Sequence, residues 1–302
     1  MNARELVLSS VALIVFASAY TLIRIALTEL PPLTVGALRF VLASTLIVPL
    51  AFFLPSQKRF HFDRRDMPVL VGLSVVQIFV PNFLQNVGME YTTAAVSSVL
   101  QSTTPVFTLV LAFVFLRERV GWQQIVGVIV AMTGVALLST GGDLSNLARS
   151  QLAGNLMQVA VAASYGFSGL MGKRLLRKYP PLQVVALTFV LGGVLLTAVA
   201  IFFERSDWPM SLSFEVIVAL VLLSFLYCIG LVSWYSVLKT TGVFRLYVLL
   251  FIMPVLAVAI SIIVLRENFT MLDVLFSAIT LLGVGITEFR MDRWRRSSST
   301  PP

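Results

Sequence analysis

The side chains of this chain that could do chemistry are mostly uncharged, and they sit inside apolar sequence. Gln77, Asn82, Gln85 and Asn86 surround Pro81 at spacings that share one broad helical face. Ser97, Gln101, Thr104 and Thr108 follow at i, i+4, i+7 and i+11, a stripe along the next helix. Asn155, Gln158, Tyr165 and Gly169 answer from later in the chain, as do Ser224, Tyr227 and Trp234. Amides and hydroxyls donate and accept hydrogen bonds, and rings stack, so the chemistry on offer is recognition rather than bond cleavage. The acidic residues nearest to apolar sequence, Glu5, Glu29, Glu90, Glu118, Glu215, Asp273 and Glu288, fall at helix ends or in connections, and the single histidine, His61, is in a polar connection. Cys228 is a lone thiol in an apolar run and reads as packing. There is no phosphate-cradling Gly-x-x-x-x-Gly-Lys loop, zinc-ligand pattern or Ser-His-Asp set, so no enzymatic activity, cofactor or metal is expected.

The elements that must position these groups follow from hydropathy. Of the 302 residues 58% are apolar, which excludes an ordinary soluble domain. Runs of about 20 apolar residues, each long enough for a hydrocarbon core of ~30 Å, recur ten times. They lie near 5–27, 33–54, 67–88, 92–115, 120–140, 152–174, 181–203, 213–236, 243–264 and 270–289. The expected class is an all-α membrane protein of ten spans. Residues Met1 to Ala19 are read as part of the first span rather than a cleaved leader, because removing them would invert the charge pattern that follows. Arg4, Lys58, Arg59, Arg64, Arg65, Arg117, Arg119, Lys173, Arg174, Arg177, Lys178, Lys239, Arg290, Arg293, Arg295 and Arg296 collect on one side, against Arg149, Arg205 and Arg266 on the other. That asymmetry places both termini in the cytoplasm and accounts for the net charge of +8, so nucleic acid is not an expected partner.

An offset of 149 residues lays Pro31-Pro32-Leu33 on Pro180-Pro181-Leu182, Pro105-Val106 on Pro254-Val255, Leu116-Arg117-Glu118 on Leu265-Arg266-Glu267, and Gly134 on Gly283. Ala17-Ser18-Ala19-Tyr20 matches Ala162-Ala163-Ser164-Tyr165 at a slightly shorter shift. Residues 1–140 and 152–289 are therefore two copies of a five-span unit, followed by a basic tail at 290–302. Five is odd, so the second copy enters the membrane inverted, a construction many secondary transporters use. Pro105 and Pro254 fall mid-span at equivalent points and free the carbonyls of Gln101 and Leu250, where a hinge or site is expected. Arg24 and Arg39 either attract an anionic group or snorkel to headgroups. On the fifth span Gly127, Ala131 and Gly134 form a small-residue face that suits the chain's own tenth span better than a second subunit, which is compatible with a monomer and leaves the oligomeric state open.

The run Phe16 to Arg24, the Pro-Pro-Leu turn, Arg39-Phe40, and the pattern Tyr91-Thr-Thr-Ala-Ala…Pro105-Val…Leu116-Arg-Glu118…Gly127…Gly134 with its second copy resemble EamA-type proteins of the drug/metabolite transporter superfamily. The resemblance covers nearly the whole chain. It departs at Ala19, where the family usually has an aromatic, and at Thr133 and Leu282, where it has a small residue. It implies inverted five-helix halves around a central cavity in the cell's inner membrane, exporting or exchanging small metabolites, with amino acids as the leading class. The residues then expected to line a cavity are Tyr20, Arg39, Gln77, Asn82, Gln85, Gln101, Tyr165, Tyr227 and Trp234, with Pro105 and Pro254 as hinges. The partners are a small solute and the bilayer. Without a buried titratable relay the transport is expected to be uncoupled from protons. The alternatives are a non-transporting structural or regulatory subunit, a channel, or an exporter of drugs, sugars or nucleobases.

Overall fold

The computed structural model describes residues 2–53, 62–91, 100–101, 103–116, 121–140, 142, 152–205, 208, 211–253, 255–256, 260 and 271–298. Among these every regular element is helical. In chain order they are α1 (Ala3–Ala26), α2 (Pro32–Phe53), α3 (Met67–Ser74), a π turn (Val75–Phe79), α4 (Val80–Tyr91), α5 (Thr104–Leu116) and α6 (Trp122–Thr140). The second half gives α7 (Leu152–Leu176), α8 (Pro181–Glu204), α9 (Phe214–Thr240), α10 (Val243–Val248) with a 3₁₀ turn at Leu249–Ile252, and α11 (Met271–Ser298).

Five stretches, Ala3–Ala26, Pro32–Phe52, Arg64–Tyr91, Pro181–Glu204 and Phe214–Thr240, are each long and apolar enough to cross a membrane. Trp122, Phe202, Phe203, Phe214 and Met271 point outward and are exposed, as lipid-facing side chains are. Helix starts follow local chemistry. Asn2 and Glu5 form a reciprocal capping box on α1. Pro32 and Pro181 open α2 and α8, where a missing N–H costs nothing.

The most extensive helix pairs join the two halves: α2 with α8, α1 with α9, α4 with α7, and α6 with α11. Each pairing is mapped onto another, or onto itself, when both partners are advanced by the repeat. Phe40 and Phe189, equivalent at the offset of 149, meet edge to face at 5.2 Å between α2 and α8. Helices in lipid gain little from apolar burial against one another, so close approach matters. A Cβ at Gly283 would stand 2.3 Å from the Ala131 nitrogen, and one at Gly134 2.5 Å from the Thr280 nitrogen. The small-residue face of α6 thus packs on α11 of its own chain.

Polar groups tie the helix ends. Glu204, buried at the end of α8, accepts from the Leu33 nitrogen (2.8 Å), the Thr34 nitrogen (2.7 Å) and Thr34 Oγ1 (2.8 Å). It therefore satisfies the orphan donors of α2 from the other half of the chain. Towards the opposite ends of these helices, Asp66 accepts from Lys178 Nζ and the Tyr179 hydroxyl, both at 2.8 Å. That pairing holds the Lys178 ammonium above its ordinary value, the hydrogen bond to Asp66 being the main cause.

Candidate solute cavity

The cavity is built around two interruptions in helical backbone. Pro81 has no N–H to offer Gln77 and its ring presses on that residue's carbonyl. The helix opens there into the π turn at Val75–Phe79, a geometry that often marks functional positions. The carbonyls on either side of Gln77 take side-chain donors. Ser164 Oγ donates to the Val76 oxygen at 2.7 Å, and Asn82 Nδ2 to the Ile78 oxygen at 2.7 Å. Gln77, within the π turn, faces the cavity with its Oε1 accepting from the Ser168 hydroxyl.

The second interruption precedes α5. Pro105 stands in the first turn of α5, not in the middle of a continuous helix as the apolar run suggested. Thr103 is a turn, and Thr104 Oγ1 donates at 2.6 Å to the Gln101 carbonyl, the one Pro105 leaves without its N–H. Leu250, the expected counterpart, lies in the 3₁₀ turn on the cavity wall. Pro254 and Ser97 lie outside the described residues.

Between these breaks the halves enclose about 880 Å³ of space, its mouth included. Eight of the nine side chains expected from sequence line it: Tyr20, Arg39, Gln77, Gln85, Gln101, Tyr165, Tyr227 and Trp234. Asn82 does not. It is buried one layer behind, with Oδ1 accepting from Arg39 Nη1 at 3.3 Å. Its amide serves the Ile78 carbonyl and the arginine, partners that helical periodicity does not show.

A chain of amides crosses the cavity wall. The Tyr20 hydroxyl donates to Gln101 Oε1 at 2.5 Å, Gln101 Nε2 to Gln158 Oε1 at 2.8 Å, and Gln158 Nε2 to the Gln85 carbonyl at 3.3 Å. Ser224, by contrast, bonds only its own helix, at the Leu220 oxygen. Around Tyr227 gathers an aromatic cluster, with Phe16 at 5.8 Å, Phe40 at 5.7 Å and Phe189 at 5.7 Å. Trp234 packs on Phe16 at 5.8 Å and on Tyr247 at 5.4 Å. Arg39 does not snorkel. It is 4% exposed, and its guanidinium carbon lies 3.8 Å from the Tyr227 ring centroid, a cation–π contact. Arg24, at the end of α1, is exposed.

Sequence reasoning passed over the apolar wall: Phe16, Ile23, Leu231 and Met253 also face the space. The offset of 149 carried the signal, since it sets Met253 opposite Thr104 and Leu250 opposite Gln101.

The model of the EamA-like transporter family matches residues 4–140 and again 152–289. A protein of Archaeoglobus fulgidus described as an uncharacterized transporter is 30% identical over 269 residues, 89% of this chain and 92% of its own. A probable terminal-alkyne amino-acid exporter of Streptantibioticus cattleyicolor is 28% identical over 239 residues, 78% of each chain. A solved crystal structure superposes with a TM-score of 0.79 at 18% identity, covering 97% of this chain and 99% of that one.

Proposed function

The chain belongs to the EamA-like transporter family, and from that premise we propose that it is an inner-membrane exporter or exchanger of amino-acid-sized metabolites working by alternating access. The observation that carries the reading is the cavity itself. Its walls come from both halves of the chain, and they combine amides, a guanidinium and aromatic rings around one space, the mixture of apolar surface and a few polar groups that small-molecule sites show. In this reading the ten apolar runs are ten spans, residues 1–140 and 152–289 are inverted halves, and both termini are cytoplasmic. The antiparallel packing of the equivalent helices α2 and α8, with Glu204 at the end of one on Leu33 and Thr34 at the start of the other, supports the inversion. The basic residues clustered on one side support the orientation.

Rocking of the halves about the breaks at Gln101–Thr104 and Leu249–Ile252 would expose the cavity to each face in turn. The likeness to an amino-acid exporter points to the substrate class. The lining agrees with it, since amides and a guanidinium suit a polar head and the aromatic cluster suits a side chain. Neither a carboxylate nor an imidazole is among the described lining residues, so solute exchange is assigned no proton relay.

Counterflow tests the reading. Purified protein in liposomes preloaded with unlabelled threonine, methionine or phenylalanine should transiently accumulate external labelled solute without an ion gradient. Folded protein that accumulates none of them would remove amino acids as the class. Flux without counterflow would indicate a channel. A dependence on protons with solute charge held constant would remove the uncoupled mechanism.

A further inference from the structure

The fold of the two halves repeats, but the chemistry they bring to the cavity does not. At the offset of 149, Gln85 corresponds to Trp234, Gln101 to Leu250 and Thr104 to Met253, and all six line the same space. Arg39 corresponds to Thr188, whose hydroxyl is consumed by the Val185 carbonyl at 2.9 Å. At these positions the first half supplies amides, a hydroxyl and the one cation, and the second half an indole and two aliphatic side chains, while the other second-half lining residues are Tyr165, Tyr227, Tyr247 and Leu231.

Arg39 is the unusual member. Among the described residues its guanidinium makes one hydrogen bond, the 3.3 Å contact to Asn82, while Nε has no partner and no carboxylate lies within ion-pair distance. A cation in a membrane interior normally finds a counter-charge. The ring of Tyr227 offers only a partial one.

We propose that the cargo supplies it: the site takes an amphipathic organic monoanion, with its carboxylate at Arg39 and its apolar tail against Trp234, Leu250 and Met253, and it does not require an α-amino group. The inference rests on the transporter reading and narrows it. A single guanidinium suits one negative charge, whereas a phosphate dianion would call for a second cation, which the described lining lacks. An ammonium has no carboxylate to meet among the described lining residues.

The test compares four probes on the wild-type protein in proteoliposomes: phenylalanine, 3-phenylpropionate, its amide, and phenethylamine. Each is read by competition with labelled phenylalanine and by thermal stabilisation of the purified protein. The acid is expected to compete at least as well as the amino acid, and the amide and amine at least tenfold less. R39Q should lose that tenfold discrimination and R39K keep part of it. Equal competition by acid and amide in the wild type overturns the inference, and needs no variant to do so. Discrimination retained by a folded R39Q protein overturns the role of Arg39. If phenylalanine exchanges but its carboxylate is not read, the transporter stands and this inference falls. If none of the four binds or exchanges, this inference and the amino-acid class both fall.

Discussion

Gln101 joins the two halves at the level of single atoms, because it accepts from Tyr20 and donates to Gln158 across a 57-residue separation. Gln101→Ala leaves the Tyr20 hydroxyl and the Gln158 amide oxygen without their partner, at a cost of up to about 1–3 kcal/mol. The expected result is a lowered unfolding temperature in detergent together with loss of counterflow. An unaltered flux would show the chain of amides to be packing only. The i, i+3 spacing of Gln101 and Thr104 made their shared face legible in the sequence. Their partners were not, because side-chain hydrogen bonds between helices leave no periodic trace. Asn82 was misplaced for a similar reason: its amide is taken up by the Ile78 carbonyl and by Arg39, partners that its spacing does not name.

Among elements, the α6–α11 contact has the least tolerance. Gly283→Ala adds a Cβ 2.3 Å from the Ala131 nitrogen, backbone that cannot step aside without moving a helix. A loss of about 1–3 kcal/mol is expected from overpacking. Gly285, two residues on, meets nothing within 4 Å, so Gly285→Ala should be neutral or stabilising by up to ~1 kcal/mol through helix propensity. Thermal unfolding of the two variants side by side checks the pair, and equal effects would contradict the close packing. The existence and order of the helices were legible because a hydrocarbon core demands long apolar runs. The restart of the chain at Thr104 was half legible. Pro105 announced a disturbance, but proline is as much at home in a first turn as at a kink.

At the scale of the whole molecule, the assigned orientation has a direct check. In a Cys228→Ala background, cysteines placed by Asn2→Cys and by Arg205→Cys should behave oppositely towards a membrane-impermeant maleimide on intact cells. The first should stay unlabelled and the second be labelled, and the reverse would overturn the orientation. The duplication was legible as a shift of 149 residues. The pairing of the halves was not, because Glu204 and the Thr34 it caps lie 170 residues apart, and nothing local in either segment names the other.

That separation bears on how the protein is made. At ~5–20 residues per second, the ribosome reaches Glu204 roughly 10–30 s after Thr34. For most of that interval α1 and α2 have been made without α8 and α9, and Arg39 without the ring of Tyr227. The nascent first half must therefore be sheltered at the insertion machinery, or held by its own polar contacts, until its other half is synthesised.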